Sequence, residues 1–378
     1  MFRSLFTFFL SLFFTGVSAQ QLVLPGDHPD PSVVKIGDTY WAIATTSNWM
    51  PAYPLYQSKD LVNWKMTANV FNTLPAWADY YFWAPEISYE NGKVYIYYSA
   101  HKKDGNLCVG IASADRPEGP YKDHGPIICQ EVGSIDAFPM RDENGKLHLI
   151  WKEDGNSVGK PTPIWIQELN EERTKLIGAK KELFRNDATW EGNLVEGVAM
   201  MKHNDYYYAF YAAAGCCTDR CTYNTGIARS KTLMGPWEKY AKNPVITDEG
   251  EWKCPGHGTA VEKDGRFYFM YHAYAKEGGV YTGRQGLIKE FRFTADGWIE
   301  FIDDAKAVST PDEIEEEFSG KSLSKEWQWS VFQKFNKTIK GGNLELSALP
   351  TGGGSFIGQK TYSLNYKVVT EVDRKAST

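Results

Sequence analysis

The chain has 378 residues, of which 42% are hydrophobic and 15% aromatic, and its formal net charge is -6 at pH 7. This is enough apolar material for one large core or for two domains. The negative charge comes without a basic run or an arginine-rich segment, which argues against nucleic acids and anionic membrane surfaces as partners. A neutral substrate fits this composition better.

The chain begins with MFRSLFTFFLSLFFTGVSAQ, in which Arg3 precedes an apolar run and a small-x-small ending. This pattern predicts a secretory signal peptide over residues 1–19, cleaved after Ala19. An uncleaved membrane anchor is the alternative, but the apolar run is short for a span. The first cysteine is Cys108, which argues against a lipoprotein anchor. We therefore expect a secreted or periplasmic protein, without membrane insertion, in a compartment that permits disulfides.

Five segments share one pattern, a tight turn followed by an alternating, aromatic-rich strand. They read IGDTYWAIATTS, NGKVYIYYSAH, NGKLHLIWKED, HNDYYYAFYAAA and DGRFYFMYHAY. Their turn residues lie 55, 53, 60 and 60 positions apart, at Gly37, Gly92, Gly145, Asp205 and Gly265. A period of roughly 50 residues with about four short strands is typical of a β-propeller blade. The sequence predicts an all-β fold with a five-bladed β-propeller over residues 22–312, in preference to a β-sandwich with coincidental hairpins.

A second strand start precedes each of these hairpins and carries one polar residue. The starts read HPDPSVV, WAPEISY, SIDAFPM, LVEGVAM and CPGHGTAV, and their polar residues are Asp30, Glu86, Asp136, Glu196 and His257. If each such strand is the innermost of its blade, the five starts surround the central channel at one end. We expect these side chains to converge there.

Converging carboxylates with aromatic neighbours and no nucleophile motif point to sugar chemistry. Glycoside hydrolysis needs one protonated carboxyl group and one ionised carboxylate. Glu196 lies in an apolar run, where burial favours the protonated form, and this suits the general acid. Asp30, in a proline-flanked turn expected to be open to solvent, suits the base. Asp136 is a third carboxylate whose charge helps to keep Glu196 protonated and orients it.

Each of these residues also has an ordinary structural interpretation. Asp30 alone reads as a turn residue, and only the fivefold register argues otherwise. Glu86 is the nearest competitor of Glu196 and is interpreted as a hydrogen-bonding partner. Trp83 and Phe138 are either core aromatics or platforms for sugar stacking.

The motifs HPDPS, SIDAFPM, LVEGVAM and PGHGTAV, in this order, resemble glycoside hydrolase family 43, and the similarity covers about residues 22–305. The resemblance implies an inverting mechanism with Asp30 as base, Asp136 as modulator of the acid and Glu196 as acid. It further implies that His257 holds a calcium ion or a water cluster in the channel, and that Arg284 contacts the substrate. His28 departs from the asparagine frequent in the family, which bears on subsite detail.

On this basis we expect an exo-acting enzyme that removes terminal α-L-arabinofuranose or β-D-xylose from plant xylan, arabinan or their oligosaccharides. An endo-arabinanase or galactan-active member of the same family is the first alternative. A propeller that binds glycans without catalysis is the second. The chemistry requires no cofactor, and the resemblance allows a structural calcium ion in the channel.

The segment AGCCTDRCTYNTG holds Cys216, Cys217 and Cys221 without the paired spacing of a metal site. A local disulfide that shapes a loop at the pocket rim is the better interpretation. The pairing of these cysteines with Cys108, Cys129 and Cys254 stays open.

From about Glu313 the composition changes to an acidic linker followed by alternating, strand-like segments. We interpret residues 313–378 as the beginning of a C-terminal β-sandwich that has too few strands to be complete. Its aromatic residues should be partly exposed or lean on the propeller, namely Trp327, Trp329, Phe332 and Phe335.

Overall fold

In a computed structural model of the protein, residues 20–302, 313–333, 336–347 and 354–373 are described. The predicted signal peptide, residues 1–19, lies outside them. Apart from the two-residue strand Trp49–Met50, the strands between Gln21 and Ile302 form five antiparallel sheets, which confirms the all-β prediction and the five-bladed propeller. Within the described residues, no helix has the length and apolar character needed to cross a membrane.

The five blades follow the chain in order. Blade 1 contains β2 (Ser32–Ile36), β3 (Thr39–Ile43), β5 (Ala52–Ser58) and β6 (Lys65–Phe71), with the short strand β4 (Trp49–Met50) between β3 and β5. Blade 2 contains β7 (Ala78–Glu90), β8 (Lys93–Lys102), β9 (Leu107–Ala114) and β10 (Lys122–Cys129). Blade 3 contains β11 (Ser134–Arg141), β12 (Leu147–Glu153), β13 (Ile164–Leu169) and β14 (Leu176–Phe184). Blade 4 contains β15 (Val195–His203), β16 (Tyr206–Ala213), β17 (Asn224–Ser230) and β18 (Glu238–Lys239).

Blade 5 closes the ring with strands from both ends of the propeller. It contains β19 (Trp252–Lys263), β20 (Arg266–Ala275), β21 (Arg284–Phe293), β22 (Ile299–Ile302) and the N-terminal β1 (Gln21–Leu24). Strand β1 pairs with the first half of β21 and β22 with the second half. The short helix α1 (Gly279–Thr282) joins β20 to β21, and 3₁₀ turns occupy Gly155–Val158 and Thr189–Glu191. Because the first strand completes the last sheet, the circle is held by backbone hydrogen bonds.

The innermost strands β2, β7, β11, β15 and β19 contact one another in sequence around the ring, and β19 returns to β2. The core lies between the blades, with a cluster of buried side chains at each of the five interfaces of the described propeller. Neighbouring residues of the second strand in each blade point to opposite faces of the sheet and enter different clusters. These pairs are Tyr40 and Trp41, Ile96 and Tyr97, Leu149 and Ile150, Phe210 and Tyr211, and Phe269 and Met270. Both faces of every blade are therefore buried, which explains the near-continuous apolar character of the repeated motif.

The C-terminal segment packs against the rim of blades 1 and 2. Strand β23 (Trp329–Ser330) pairs with β4, while β24 (Lys337–Lys340) and β25 (Asn343–Leu346) form a separate hairpin. Trp329 packs against the core cluster between blades 1 and 2, whereas Phe332 is 66% exposed. The expectation that these aromatics lean on the propeller or stay exposed is thus met for both, and Phe335 lies outside the described residues. Completion of a β-sandwich remains a prediction.

Candidate active site

The starts of the innermost strands converge at one end of the propeller axis, as the sequence register predicts. The Nδ1 atom of His257 lies 3.5 Å from Oδ1 of Asp30 and 3.9 Å from Oδ2 of Asp136. The backbone N–H of Gly197, next to Glu196, donates a 2.9 Å hydrogen bond to Asp136 Oδ2. Four of the five strands thereby bring their functional groups into one contact network.

Irregular backbone turns these side chains toward the axis. The pairing register shifts beside the polar residue in β7, β11, β15 and β19. Asp30, Asp136 and His257 adopt positive φ values of 52°, 57° and 44°. Such conformations are unfavourable for residues with a Cβ atom, and β-bulges re-aim a side chain without ending the strand. Their concentration at one end of the axis is typical of a functional site.

Asp30 is buried, with 7% exposure, so the expectation that it is open to solvent is wrong. Its Oδ1 accepts a 3.0 Å hydrogen bond from the Arg284 guanidinium, and its Oδ2 accepts one of 2.7 Å from the Thr45 hydroxyl. Burial alone would raise its pKa, but Arg284, His257 and Thr45 together hold the pKa of Asp30 well below its usual range. Asp30 is therefore an ionised carboxylate at neutral pH, which is the state that the sequence interpretation requires.

Asp136 lies between the other two carboxylates. Burial, together with the charges of Glu196 and Asp30, raises the pKa of Asp136 to about 6, and His257 opposes this shift. The position of its carboxylate is set by the Gly197 N–H group. A side chain at Gly197 would have its Cβ only 2.7 Å from Cγ of His257, and the φ value there is +61°. Glycine is thus needed where Asp136 orients the backbone of Glu196.

Glu196 has two polar partners. Lys152 Nζ donates to its Oε2 at 2.5 Å, and the Tyr223 hydroxyl donates to its Oε1 at 2.9 Å. The sequence predicts apolar surroundings for Glu196. This is correct for its neighbours along the strand, which are buried, but wrong for its carboxylate, which contacts two polar groups. The carboxylate is held from two sides in one orientation.

Arg284 and His272 complete the surroundings of Asp30. The backbone N–H of Asp30 donates to Nδ1 of His272 at 3.0 Å, so the neutral ring of His272 carries its proton on Nε2. Burial, and to a lesser extent the charge of Arg284, lowers the pKa of His272 well below its usual value. The resemblance implies that Arg284 contacts the substrate, and in the structure it is ion-paired with Asp30. Arg284 can therefore fix the Asp30 carboxylate and still present its remaining N–H groups to a ligand.

Trp83 lies near Asp30, to which its neighbour Ala84 is linked through Thr45. The N–H of Ala84, its neighbour, donates to Thr45 Oγ1, which in turn binds Asp30. The indole N–H of Trp83 donates to Ser47 Oγ at 2.9 Å, and its ring stacks on Tyr81 with centroids 4.3 Å apart. Tyr81 is 36% exposed. A half-buried tryptophan stacked on an exposed tyrosine at the rim suits contact with the apolar face of a sugar.

Phe138 is placed differently. It is 8% exposed and belongs to the apolar cluster between blades 3 and 4, together with Ile150 and Val198. Of the two interpretations of Phe138, the structure therefore supports the core aromatic and not the sugar-stacking platform. We do not include it among the groups that face a ligand.

Glu86 and His257 line a small cavity together with Asp30 and Asp136. The Thr259 hydroxyl donates to Glu86 Oε2 at 3.3 Å. Burial raises the pKa of Glu86 to about 8, although the Ser32 and Thr259 hydroxyls oppose the shift. Glu86 therefore carries a proton at neutral pH, consistent with a hydrogen-bonding role.

The channel residues do not form an evident calcium site. Calcium takes six to eight oxygen ligands, whereas His257 offers nitrogen and directs Nδ1 toward Asp30 and Asp136. Across residues 20–302 and the described parts of the tail, no group of three or more His, Cys, Asp or Glu side chains is arranged to hold a metal ion. We derive no chemical step through a metal.

Sequence reasoning missed the four residues that hold the carboxylates in place: Thr45, Lys152, Tyr223 and His272. One signal was available for Lys152, because a lysine at the end of the apolar strand LHLIWKE needs a buried partner. The other three occupy ordinary strand or loop positions.

The cysteines form three disulfides, Cys108–Cys129, Cys216–Cys217 and Cys221–Cys254. The last one ties the loop after β16 to the start of β19, and Tyr223 is the final residue of that loop. The interpretation of this cysteine-rich segment as a disulfide-shaped loop is confirmed. The loop contacts Glu196 through the Tyr223 hydroxyl.

Comparison with known proteins identifies the family. The sequence model of Glycosyl hydrolases family 43 matches residues 19–299, so the chain belongs to this family. A xylan 1,3-β-xylosidase of a Vibrio species is 30% identical over 273 residues, which cover 67% of this chain and 49% of that protein. An extracellular exo-α-(1→5)-L-arabinofuranosidase of Cellvibrio japonicus is 27% identical, covering 66% of this chain and 79% of that protein.

Solved structures agree on the fold. A xylan β-1,4-xylosidase from Bacillus halodurans superimposes with a TM-score of 0.76 at 24% identity, covering 91% of this chain and 72% of that structure. At this identity the likeness speaks for the fold. The chain spans about half the length of the first curated relatives it matches, 49% and 54%.

Proposed function

We propose that this chain is an inverting, exo-acting glycoside hydrolase that removes terminal α-L-arabinofuranose or β-D-xylose from xylan, arabinan or their oligosaccharides. The observation that carries the proposal is the convergence of Asp30, Asp136 and Glu196 at one end of the axis, in three unlike environments. Asp30 activates water, Glu196 protonates the departing oxygen, and Asp136 orients Glu196 through the Gly197 backbone. No cofactor takes part in these steps.

The choice of a terminal pentose rests on the relatives, which are described as a xylosidase and an exo-acting arabinofuranosidase. The exported location that the N-terminal sequence predicts agrees with a polysaccharide substrate outside the cell. The wall formed by Trp83 and Tyr81 gives the sugar an aromatic surface beside the base. A panel of aryl pentosides and of xylo- and arabino-oligosaccharides decides between the two sugars and between exo and endo action.

Two substitutions test the roles. Glu196→Gln should lower kcat/KM by several orders of magnitude on substrates with poor leaving groups and much less on activated aryl glycosides, because these hardly need a general acid. Asp30→Asn should abolish both activities, since no leaving group replaces the base. Glu131→Gln, at an exposed residue, is the control and should leave both unchanged.

Equal losses for Glu196→Gln on both substrate types would contradict the assignment of the acid. NMR of the first product should show inverted anomeric configuration, and retention would contradict Asp30 as base. Binding of oligosaccharides without hydrolysis of any substrate would favour a glycan-binding propeller instead.

A further inference from the structure

We propose that Lys152, held in place by Asp154, is the positioning residue of the general acid Glu196 and balances its charge as the proton is lost and regained. This inference rests on the role of Glu196 in the proposed function. It extends that function to a second layer of residues, on β12 of blade 3 and the turn that follows it.

The geometry places one ammonium group between two carboxylates. Lys152 Nζ donates to Glu196 Oε2 at 2.5 Å and to Asp154 Oδ1 at 2.9 Å. The Lys152 side chain is 1% exposed, and the Asp154 side chain is 13% exposed. A buried ammonium group needs such partners, because water does not reach it. The three side chains form a row, with Asp154 nearest to solvent and Glu196 at the site.

Backbone contacts hold Asp154 at the outer end of this row. Its N–H donates to the carbonyl of Gly133 at 3.1 Å, and its carbonyl accepts from the Ser157 N–H at 3.3 Å in the turn that follows. Lys152 itself lies in the paired part of β12, opposite Ile135 and Ile164. The ammonium position is therefore determined by the two sheet strands and the anchored turn, and Glu196 is aligned on it.

A buried general acid changes its charge during the reaction, and the row of Asp154, Lys152 and Glu196 compensates this change. When Glu196 carries its proton, Lys152 loses one ionic partner, and Asp154 still compensates the ammonium charge. When the proton moves to the departing oxygen, negative charge develops on Glu196 within 2.5 Å of Lys152 Nζ. A preorganised positive charge aimed at developing negative charge lowers the barrier of that step. Lys152 stays charged throughout, because burial would lower its pKa but Glu196 and Asp154 hold that pKa above its usual range.

Other titratable groups also face Glu196 and belong in any analysis of its pH dependence. Tyr223 binds Oε1 directly, and Asp136 lies on the other side of Gly197. Asp30, just before β2, and His257, on β19, lie beyond Asp136. These groups are the same in the variants used below, so they do not account for a difference between those variants.

The test is the pH profile of kcat/KM with a poor leaving group, in Lys152→Met and Asp154→Asn. The ammonium charge stabilises the carboxylate that Glu196 becomes when it gives up its proton, so Lys152→Met should move the basic limb to higher pH and lower the maximal kcat/KM at least about tenfold. In Asp154→Asn the ammonium has only Glu196 as ionic partner and favours its ionised form, so the basic limb should move to lower pH. Lys152→Arg, which keeps the charge, should restore the limb toward that of the wild type.

The matched control is Lys146→Met, which removes an exposed lysine from the first turn of the same hairpin, where it pairs with Glu168. It should leave the profile unchanged. Shifts in opposite directions for Lys152→Met and Asp154→Asn support the inference. Folded variants with reduced activity but an unmoved basic limb would overturn it, because a purely structural role predicts that result.

Failure of the inference is distinguishable from failure of the proposed function. A wild-type chain that hydrolyses no glycoside would overturn both. An active wild type whose basic limb is the same in the variants would overturn the inference alone. If Lys152→Met does not fold, Asp154→Asn decides alone, since its side chain is partly exposed: a basic limb at lower pH supports the inference, and an unchanged limb overturns it.

Discussion

Replacing Glu86 by glutamine should stabilise the propeller in a strongly pH-dependent way. Burial raises the pKa of Glu86 from 4.5 to about 8. For a group whose pKa is raised by folding, the stabilisation is fully present below the unfolded pKa and is lost as the pH rises through the folded value. At about 1.4 kcal/mol per pKa unit, this amounts to about 5 kcal/mol between pH 4.5 and pH values above 8, and to about 3 kcal/mol at pH 7.

Glutamine cannot ionise but can still accept the Thr259 hydrogen bond. The free energies of unfolding of Glu86→Gln and wild type, from urea titrations, should therefore be similar at pH 4.5 and differ by about 3 kcal/mol at pH 7, with the variant more stable. The exposed Glu131→Gln should show no such pH dependence. A difference between Glu86→Gln and wild type that is the same at pH 4.5 and pH 8 would refute the reasoning, because it would mean that Glu86 does not titrate differently in the folded state.

Two further predictions concern the site and the tail. Tyr223→Phe removes the 2.9 Å hydrogen bond to Glu196 but keeps the aromatic ring. We expect kcat/KM to fall about tenfold or more while the melting temperature stays unchanged. Unchanged kinetics would show that the hydroxyl does not position Glu196. A chain ending at Asp312 should keep its activity but unfold more readily, by about 2 kcal/mol or more, because Trp329 no longer packs between blades 1 and 2. If that shorter chain folds with a cooperative melt yet has lost activity on every glycoside, the tail contributes to the site.

Interpretation of the sequence succeeded where the signal is local. The blade repeat is visible because each turn and the strand behind it lie within a dozen residues, and side chains alternate between two buried faces. The same local register aligned Asp30, Asp136 and Glu196 at corresponding strand starts, and the structure brings these starts together. The resemblance in the motifs around these residues is confirmed by the match to Glycosyl hydrolases family 43 over residues 19–299.

Other expectations failed because they depend on contacts that are distant in sequence. Asp30 looked exposed in its proline-flanked turn, yet Arg284, 254 residues away, covers it and sets its charge. Phe138 had two equal interpretations, and only the packing of blade 3 against blade 4 places it in the core. The disulfide pairing could not be predicted for the same reason, since Cys221 of blade 4 bonds to Cys254 of the adjacent blade 5.

The sequence by itself determined the five blades, their order and which residue of each innermost strand points to the axis, because these follow from alternation and turn chemistry within each repeat. The tertiary structure alone decided which groups touch the carboxylates. Glu196, a charge in an apolar run, requires a partner, but that partner, Lys152, comes from the neighbouring blade 44 residues earlier. The packing of blade 3 against blade 4 and the bulge beside Glu196 create this contact, and neither leaves a periodic trace in the sequence.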